Sequence, residues 1–308
     1  MTVEDPKTEI PAEAKADPIA KEKVSWVDEV RGLAWMLLGV LALHSFIAKP
    51  FYIPSISMTP NLLVGDRLVV SKYPYGWNWS SVSFHLLPRA KWRVWGATPE
   101  YGDIAIVVPR DRNDDLIKRV VALPGDRIAL RNGHIILNGQ PIRREMEPPL
   151  RLPADDALTC SDRNGKEWCY SAADMGERRV RLPDGRSVLE LPAWRETMPN
   201  GATYLTLDTN DTLHDTMPEV LVPQGYVFLM GDNRDHSADS RVPTESNGLG
   251  GPVPLYDVGG RAEFITFSLD GTQSWNPLTW WGALRPGRAW SSLRPAIAQS
   301  PAQPGKTK

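Results

Sequence analysis

Residues 127–137, Arg127-Ile-Ala-Leu-Arg-Asn-Gly-His-Ile-Ile-Leu, decide the fold class. Two short apolar runs flank Asn132-Gly133, a pair that tolerates the positive φ angles of a two-residue hairpin turn, so the stretch predicts an antiparallel hairpin. Runs of the same kind recur on both sides: Arg67-Leu-Val-Val-Ser, Ile104-Ala-Ile-Val-Val and Tyr226-Val-Phe-Leu-Met, each bounded by turn residues. After residue 60 no 30-residue strand–helix–strand spacing and no long 3.6-residue apolar period is present, and 28 Pro and 24 Gly interrupt the chain. The expected fold is mostly β. With 308 residues and 42% hydrophobic side chains, the chain is long and apolar enough for one large or two modest domains. Lys and Arg (35) nearly balance Asp and Glu (37), which argues against a nucleic-acid partner. Two cysteines are too few for a disulfide scaffold or a four-cysteine zinc site.

Upstream of the β region, residues 1–31 are expected to form a disordered cytoplasmic tail, clearest over the first 23, and residues 32–48, GLAWMLLGVLALHSFIA, carry no formal charge. Seventeen helical residues span about 25 Å, slightly less than the ~30 Å hydrocarbon core. Arg31 and Lys49 flank the run and can snorkel, so a single transmembrane anchor over residues 32–49 is favoured. A cleaved signal peptide and a buried core helix are the competing readings. The signal peptide is disfavoured because the charged region before the apolar run is long and cleavage after Ala48 would set Phe46 at −3. Lys15, Lys21, Lys23 and Arg31 ahead of the run, against Lys49 and Arg67 after it, favour a cytoplasmic N-terminus with the remainder outside.

Residues 143–221 are richer in charge and proline and read as an insertion between two halves of one β core, residues 50–142 and 222–290. They hold Cys160 and Cys169, which enclose a polar loop and in an oxidising compartment form a possible disulfide. Residues 271–290 contain Trp275, Trp280, Trp281 and Trp290 with basic but no acidic residues. That composition suits either a membrane interface or packing on the β core. Residues 291–308 are expected to form a disordered tail.

Common catalytic signatures are missing. There is no Gly-x-Ser-x-Gly, His-Glu-x-x-His or Gly-x-x-x-x-Gly-Lys motif, and the five histidines are dispersed, so nothing argues for a metal. Lys118, however, lies inside the apolar run Leu116-Ile-Lys-Arg-Val-Val. Pointing outward, it is an ordinary surface lysine. Pointing inward, desolvation lowers its pKa, and the neutral amine can take a proton from a serine without help from histidine.

Three polar–apolar segments favour the second reading, because they resemble the sequence boxes of bacterial type I signal peptidase. Pro54-Ser55-Ile56-Ser57-Met58-Thr59-Pro60-Asn61-Leu62 is similar to the nucleophile box, residues 115–126 to the lysine box and residues 231–241 to the last box, with Gly65-Asp66-Arg67 and Tyr101-Gly-Asp-Ile between them. The resemblance covers residues 51–142 and 222–270. It departs from the family at Ile56, where glycine is frequent, at Tyr101, where arginine is usual, and at His236, where asparagine is common.

The resemblance implies a coiled antiparallel β-sheet catalytic core with an inserted smaller β domain, and a Ser/Lys dyad needing no cofactor. Ser57 would be the nucleophile and Lys118 the general base. Ser55 would stabilise the oxyanion, Ser237 would orient the lysine, and the pairs Arg119 with Asp232 and Asp239 with Arg241 would support the site. Phe51, Ile53, Met58, Leu62, Leu116 and Ile117 would shape pockets for small side chains at −1 and −3. The partners implied are signal-peptide-bearing preproteins, membrane lipids and a nearby export translocon. The location implied is the bacterial cytoplasmic (inner) membrane, with the catalytic domain on the outer, periplasmic side. The alternatives are another Ser-Lys peptidase of a pilin-processing or self-cleaving type, and a non-catalytic membrane-tethered β binding module.

Overall fold

The computed structural model describes residues 25–82, 87–159, 169–171, 174 and 178–298. Its main sheet has seven strands in the order Ala48–Tyr52, Asp66–Ser71, Val258–Ser268, Ile104–Val107, Leu116–Ala122, Tyr226–Met230 and Val253–Pro254. Every neighbouring pair is antiparallel. Ile104–Val107 reads as a continuous apolar run, and Leu116–Ala122 as one interrupted by Lys118 and Arg119, because both faces of these strands are covered. Ile53, Met58, Leu62, Leu68, Ile104, Ile106 and Ile117 fill one side. Tyr75, Ala105, Val107, Val120, Val227 and Leu229 fill the other. In Ile104–Val107 the even positions face the first core and the odd positions the second, as the two-residue strand period requires. The register of Val258–Ser268 slips three times against its neighbours, and such irregularities deepen sheet twist. The sheet curls far enough that Lys49, on the first strand, reaches Asp115, immediately before the fifth, at 3.1 Å.

A second sheet runs Arg143–Pro153, Ser187–Thr197, Ala202–Leu207 and Ala296–Ile297, with Arg179–Arg181 also pairing Ser187–Thr197. Its core is Leu152, Leu158, Tyr170, Leu189, Leu191 and Leu207, completed by Ile56, Leu63 and Val64 from the segment that precedes Asp66–Ser71. A third, four-stranded sheet holds the hairpin Arg127–Arg131 and His134–Leu137, flanked by Met217–Leu221 and Gln140–Pro141. The hairpin turns at Asn132 (φ 49°) and Gly133 (φ 74°), with Arg131 opposite His134. Positive φ at both positions is what the Asn-Gly pair is suited to supply. The mostly β fold with a curled antiparallel sheet is therefore observed.

Three sequence expectations need correction. The helix covers Trp26–Phe46, so residues 26–31 are helical and not tail, while residues 1–24 lie outside the described residues. The expected span over residues 32–49 is cut short, because Ala48–Tyr52 already pairs with Asp66–Ser71. Lys49 is correspondingly bound to Asp115 as part of the sheet. Among the described residues no helix is long and apolar enough to cross a membrane. Asp28, Glu29 and Arg31 occupy its start and leave fifteen uncharged helical residues, about 22 Å.

The third correction concerns residues 291–298, expected in a disordered tail. Leu293 is buried in the main core, Arg294 donates to Asp103 at 3.1 Å, and Ala296–Ile297 pairs with Ala202 and Thr203. One leucine with a hole to fill orders an otherwise polar segment. Residues 299–308 lie outside the described residues. Trp275, Trp281 and Trp290 are exposed, Trp290 while stacked on Phe264 at 5.6 Å, and Trp280 is half-exposed. Cys169 is buried and disulfide-bonded, and Cys160 lies outside the described residues.

Candidate active site

The segment after the first strand is prevented from continuing as a strand by Pro54 and Pro60, and between them Ile56–Met58 forms one 3-10 turn. Asp66, fully buried, ties the segment down by accepting from the Leu63 N–H at 2.8 Å and from Arg288 at 2.9 and 2.5 Å. The Ser55 side chain makes no capping bond to this turn. Its Oγ lies 3.3 Å from Ser57 Oγ instead. Ile56 occupies the place where the resembling family often has glycine, and its φ is not positive. Its side chain is buried in the core of the second sheet, so the branched residue is accommodated without backbone strain.

Ser57 and Lys118, 61 residues apart, meet here. Lys118 Nζ lies 3.2 Å from Ser57 Oγ and donates to the Ile117 carbonyl at 3.0 Å. The lysine is buried within the strand Leu116–Ala122. Desolvation lowers its pKa from the usual lysine value to about 8; the nearby Asp239 and Asp232 hold it up against that pull, while Arg112 and Arg241 push it further down. Near pH 8 half of the molecules therefore present a neutral amine, whose lone pair can accept the Ser57 proton.

The two expected ion pairs form and are buried. Arg119 grips Asp232 with two hydrogen bonds of 2.6 Å and donates a third to Gly102 O. Burial opposes the Arg119 charge, and the Asp232 carboxylate more than restores it. Arg241 holds Asp239 through two 2.9 Å bonds, and the Gly231 N–H donates to the same carboxylate at 2.9 Å. Burial pushes Asp239 up, but Arg241 and these donors outweigh it and keep the carboxyl below its ordinary range. Asp239 is thereby kept as an anion close to Lys118.

Ser237 is also brought to the site. A Cβ on Gly231 would lie 2.1 Å from Ser237 Oγ and 2.5 Å from the Ser57 carbonyl oxygen, so only glycine lets these two groups approach this backbone. The expected hydrogen bond from Ser237 to the Lys118 amine is not made: among the described residues Ser237 Oγ is buried without a partner. The orienting contact actually present on the lysine is the Ile117 carbonyl.

The six residues expected to shape the pockets divide. Ile53, Met58, Leu62 and Ile117 are buried together in the main core, with Phe51 partly buried at its margin. Leu116 packs against the opposite core. Phe51 and Leu116 keep accessible surface; Met58 and Leu62 are fully enclosed and act from behind the surface. Among the described residues, Asp208, Asp215 and Asp235 are the acidic groups close enough to share a cation, within 4.8 Å of one another. Arg144, the Thr212 N–H and the Thr209 N–H already occupy an oxygen of each.

Sequence reasoning passed over Asn233, whose backbone N–H donates to Ser57 O at 3.1 Å and whose side-chain amide donates to Ile56 O at 3.2 Å. It also passed over Arg234, buried against Glu196 at 2.6 Å, and Tyr170. Asn233 and Arg234 sit inside the quoted segment 231–241, so that signal was available; Tyr170 carries none.

A family model described as "Signal peptidase, peptidase S26" matches residues 26–267. The chain is 32% identical over 263 residues to a signal peptidase I of Rickettsia typhi, covering 82% of each chain. It is 30% identical over 262 residues to a signal peptidase I of Rickettsia canadensis, again covering 82% of each. A crystal structure of a signal peptidase I from Enterococcus faecalis aligns with a TM-score of 0.26 and 20% identity, covering 54% of this chain and 97% of that one.

Proposed function

The chain belongs to the signal peptidase family, peptidase S26, and is a serine endopeptidase; from that premise we propose that it removes signal peptides with Ser57 as nucleophile and Lys118 as general base. The observation that carries the proposal is the 3.2 Å contact between a buried, pKa-lowered amine and a serine hydroxyl.

Neutral Lys118 takes the proton from Ser57 Oγ as that oxygen attacks the carbonyl carbon of the scissile peptide. The developing oxyanion is met by the Ser55 hydroxyl, which stands beside Ser57 Oγ with no capping duty, and by the Ser57 backbone N–H. Lys118 then returns its proton to the leaving amine, the mature protein departs and the signal peptide remains as an ester on Ser57. Water gives a proton to the same amine as its oxygen attacks the ester carbonyl; the bond to Ser57 Oγ then breaks, Lys118 hands the proton to that oxygen, and the signal peptide leaves as a carboxylic acid that ionises in water. Arg119 with Asp232, and Arg241 with Asp239, hold the walls of the site, and against the desolvation that lowers the Lys118 pKa the two carboxylates raise it while Arg241 lowers it further. Ser237, whose hydroxyl has no partner among the described residues and which crowds the same glycine as the Ser57 carbonyl, is assigned the orienting of the amine.

Phe51 exposes surface over the core in which Ile53, Met58, Leu62 and Ile117 set the depth from beneath, and Leu116 offers a separate exposed edge over the opposite core. A shallow pocket over a filled core admits alanine and excludes larger side chains by overlap. We further propose that the helix Trp26–Phe46 anchors the protein at the cytoplasmic membrane with the catalytic sheets outside. The exposed Trp275, Leu278 and Trp281 suit the headgroup region. Residues 143–221 are then an insertion into this core, and a translocon delivering preproteins lies within reach.

The test is cleavage of a preprotein carrying alanine at −1 and −3. Ser57→Ala is expected to abolish it. Cleavage by the variant at the wild-type rate overturns the nucleophile, and function without any cleavage returns the protein to the class of binding modules.

A further inference from the structure

The nucleophile is held from a sheet that takes no part in the chemistry. Ile56, immediately before Ser57, has its side chain in the core of the second sheet, among Leu158, Tyr170, Leu189 and Leu207. Tyr170 is anchored there by its backbone N–H, which donates to Leu158 O at 3.0 Å. Its hydroxyl comes out of that core and meets the side-chain amide of Asn233 at 3.0 Å.

Asn233 is otherwise fully committed to the serine turn. A side-chain amide nitrogen has two hydrogens. One goes to Tyr170 Oη and the other to Ile56 O, while the backbone N–H goes to Ser57 O. Asn233 thus holds the two successive carbonyls around the nucleophile. The chain on either side of it is fixed to the second sheet: the Leu207 N–H donates to Asp232 O at 2.9 Å and the Arg234 N–H to Leu207 O at 2.8 Å.

We propose that Tyr170 is a positioning residue for the reaction, fixing the rotation of the Asn233 amide and through it the backbone that aims Ser57 Oγ at Lys118 Nζ. Without the hydroxyl, the amide loses one of its two acceptors and is free to turn away from Ile56 O. Burial raises the Tyr170 pKa above the ordinary tyrosine range, so the hydroxyl stays neutral wherever the lysine is active. Tyr170 directly follows the disulfide-bonded Cys169, which limits how far its backbone can drift. Its ring also stands edge-on to His236, at 5.6 Å, in the loop that carries Ser237. A displacement of the reacting atoms by an ångström costs on the order of a hundredfold in rate, so small rotations of this turn matter.

The proposal rests on Ser57 being the nucleophile, and the assay separates the two claims. Full-length wild-type protein, Ser57→Ala, Tyr170→Phe, Asn233→Asp and the Tyr170→Phe/Asn233→Asp double variant are compared on one preprotein, each shown folded by its melting curve. Tyr170→Phe is expected to lower kcat about tenfold with KM unchanged, and to leave the acid limb of the pH–rate profile where it is. The double variant is expected to be no slower than Asn233→Asp alone, since both changes break one chain of contacts. Wild-type kcat in Tyr170→Phe, a loss carried by KM, or additive losses in the double variant each overturn the clamp while leaving the nucleophile untouched. If Tyr170→Phe fails to fold, Asn233→Asp at wild-type kcat is the overturning result. An active Ser57→Ala variant would overturn the nucleophile itself.

Discussion

Lys118 and Lys72 are both buried, at 3% and 2% exposure, and desolvation brings both from the ordinary lysine value to about 8. They differ in what their amines touch. Lys118 Nζ reaches the Ser57 hydroxyl at 3.2 Å, a group with a proton to give. Lys72 Nζ reaches the Ser80 carbonyl at 3.4 Å, which has none. Lys72 sits at the end of Asp66–Ser71, where the chain turns into Tyr73–Tyr75, and its surroundings include Asp115 and Lys49 in place of the ion pairs around Asp232 and Asp239. A lowered pKa is thus a consequence of burial that two regions of one sheet share. What sets Lys118 apart is a protic partner within reach.

The sharpest way to break this comparison is to replace each lysine by methionine, which keeps the apolar stem. Lys118→Met should lower kcat by roughly a thousandfold or more, while Lys72→Met should stay within about threefold of wild type, since general-base assistance is lost only in the first. Comparable losses in a cleavage assay would show that burial, and not the partner, is what counts. Next in size is Gly231→Ala. The new methyl would collide with Ser237 Oγ and Ser57 O, and the shifted turn should cost about a hundredfold in kcat; a variant with the wild-type rate would mean that this approach is not needed.

The pH profile comes third. Because the Lys118 pKa is lowered to about 8, kcat should fall tenfold per unit as pH drops below that value. Lys72→Met should leave this limb in place. Arg112 is one of the charges that push the Lys118 pKa down, so Arg112→Gln should move the limb by a few tenths of a unit toward higher pH. A shift the other way would contradict the field described above.

The smallest effect is on stability. Each lysine binds its proton more weakly folded than unfolded, so the unfolded chain holds more protons between pH 8 and 10.5 and stability rises with pH across that window. At 1.36 kcal/mol per unit the charged lysine costs about 3 kcal/mol below pH 8. Lys72→Met removes that cost, so melting temperature at pH 7 should rise by a few degrees and its further increase toward pH 10 should shrink. A fall at pH 7 would mean that Asp115 and the Ser80 carbonyl more than compensate the buried charge.

Much of this was legible in the chain. The hairpin at Asn132-Gly133 follows from the φ angles those two residues accept. The run at residues 104–107 reads as a strand because an unbroken apolar run suits a sheet covered on both sides, and the run at 116–122 does so despite Lys118 and Arg119 through its apolar flanks. Ser57, Lys118 and their supporting ion pairs stood out through the resemblance of their segments. Less was legible where a contact partner is distant. The apolar run at residues 32–48 hid the end of its helix, since nothing local says that Ala48 will pair with Ser71. Leu293 looks like part of a polar tail until a core is present to receive it. Tyr170 lies in a segment without pattern, and its link to Asn233 spans 63 residues.

Local order, then, was settled by the sequence alone: where the turns fall, which runs become strands and which side chains are chemically able to react. Those properties depend on backbone sterics and side-chain polarity, which act over a few residues. The curl of the main sheet, the burial of both lysines and the meeting of one of them with a serine hydroxyl were decided only by the tertiary structure. Desolvation and hydrogen-bond distance depend on every segment packed around an atom, and those segments come from far along the chain.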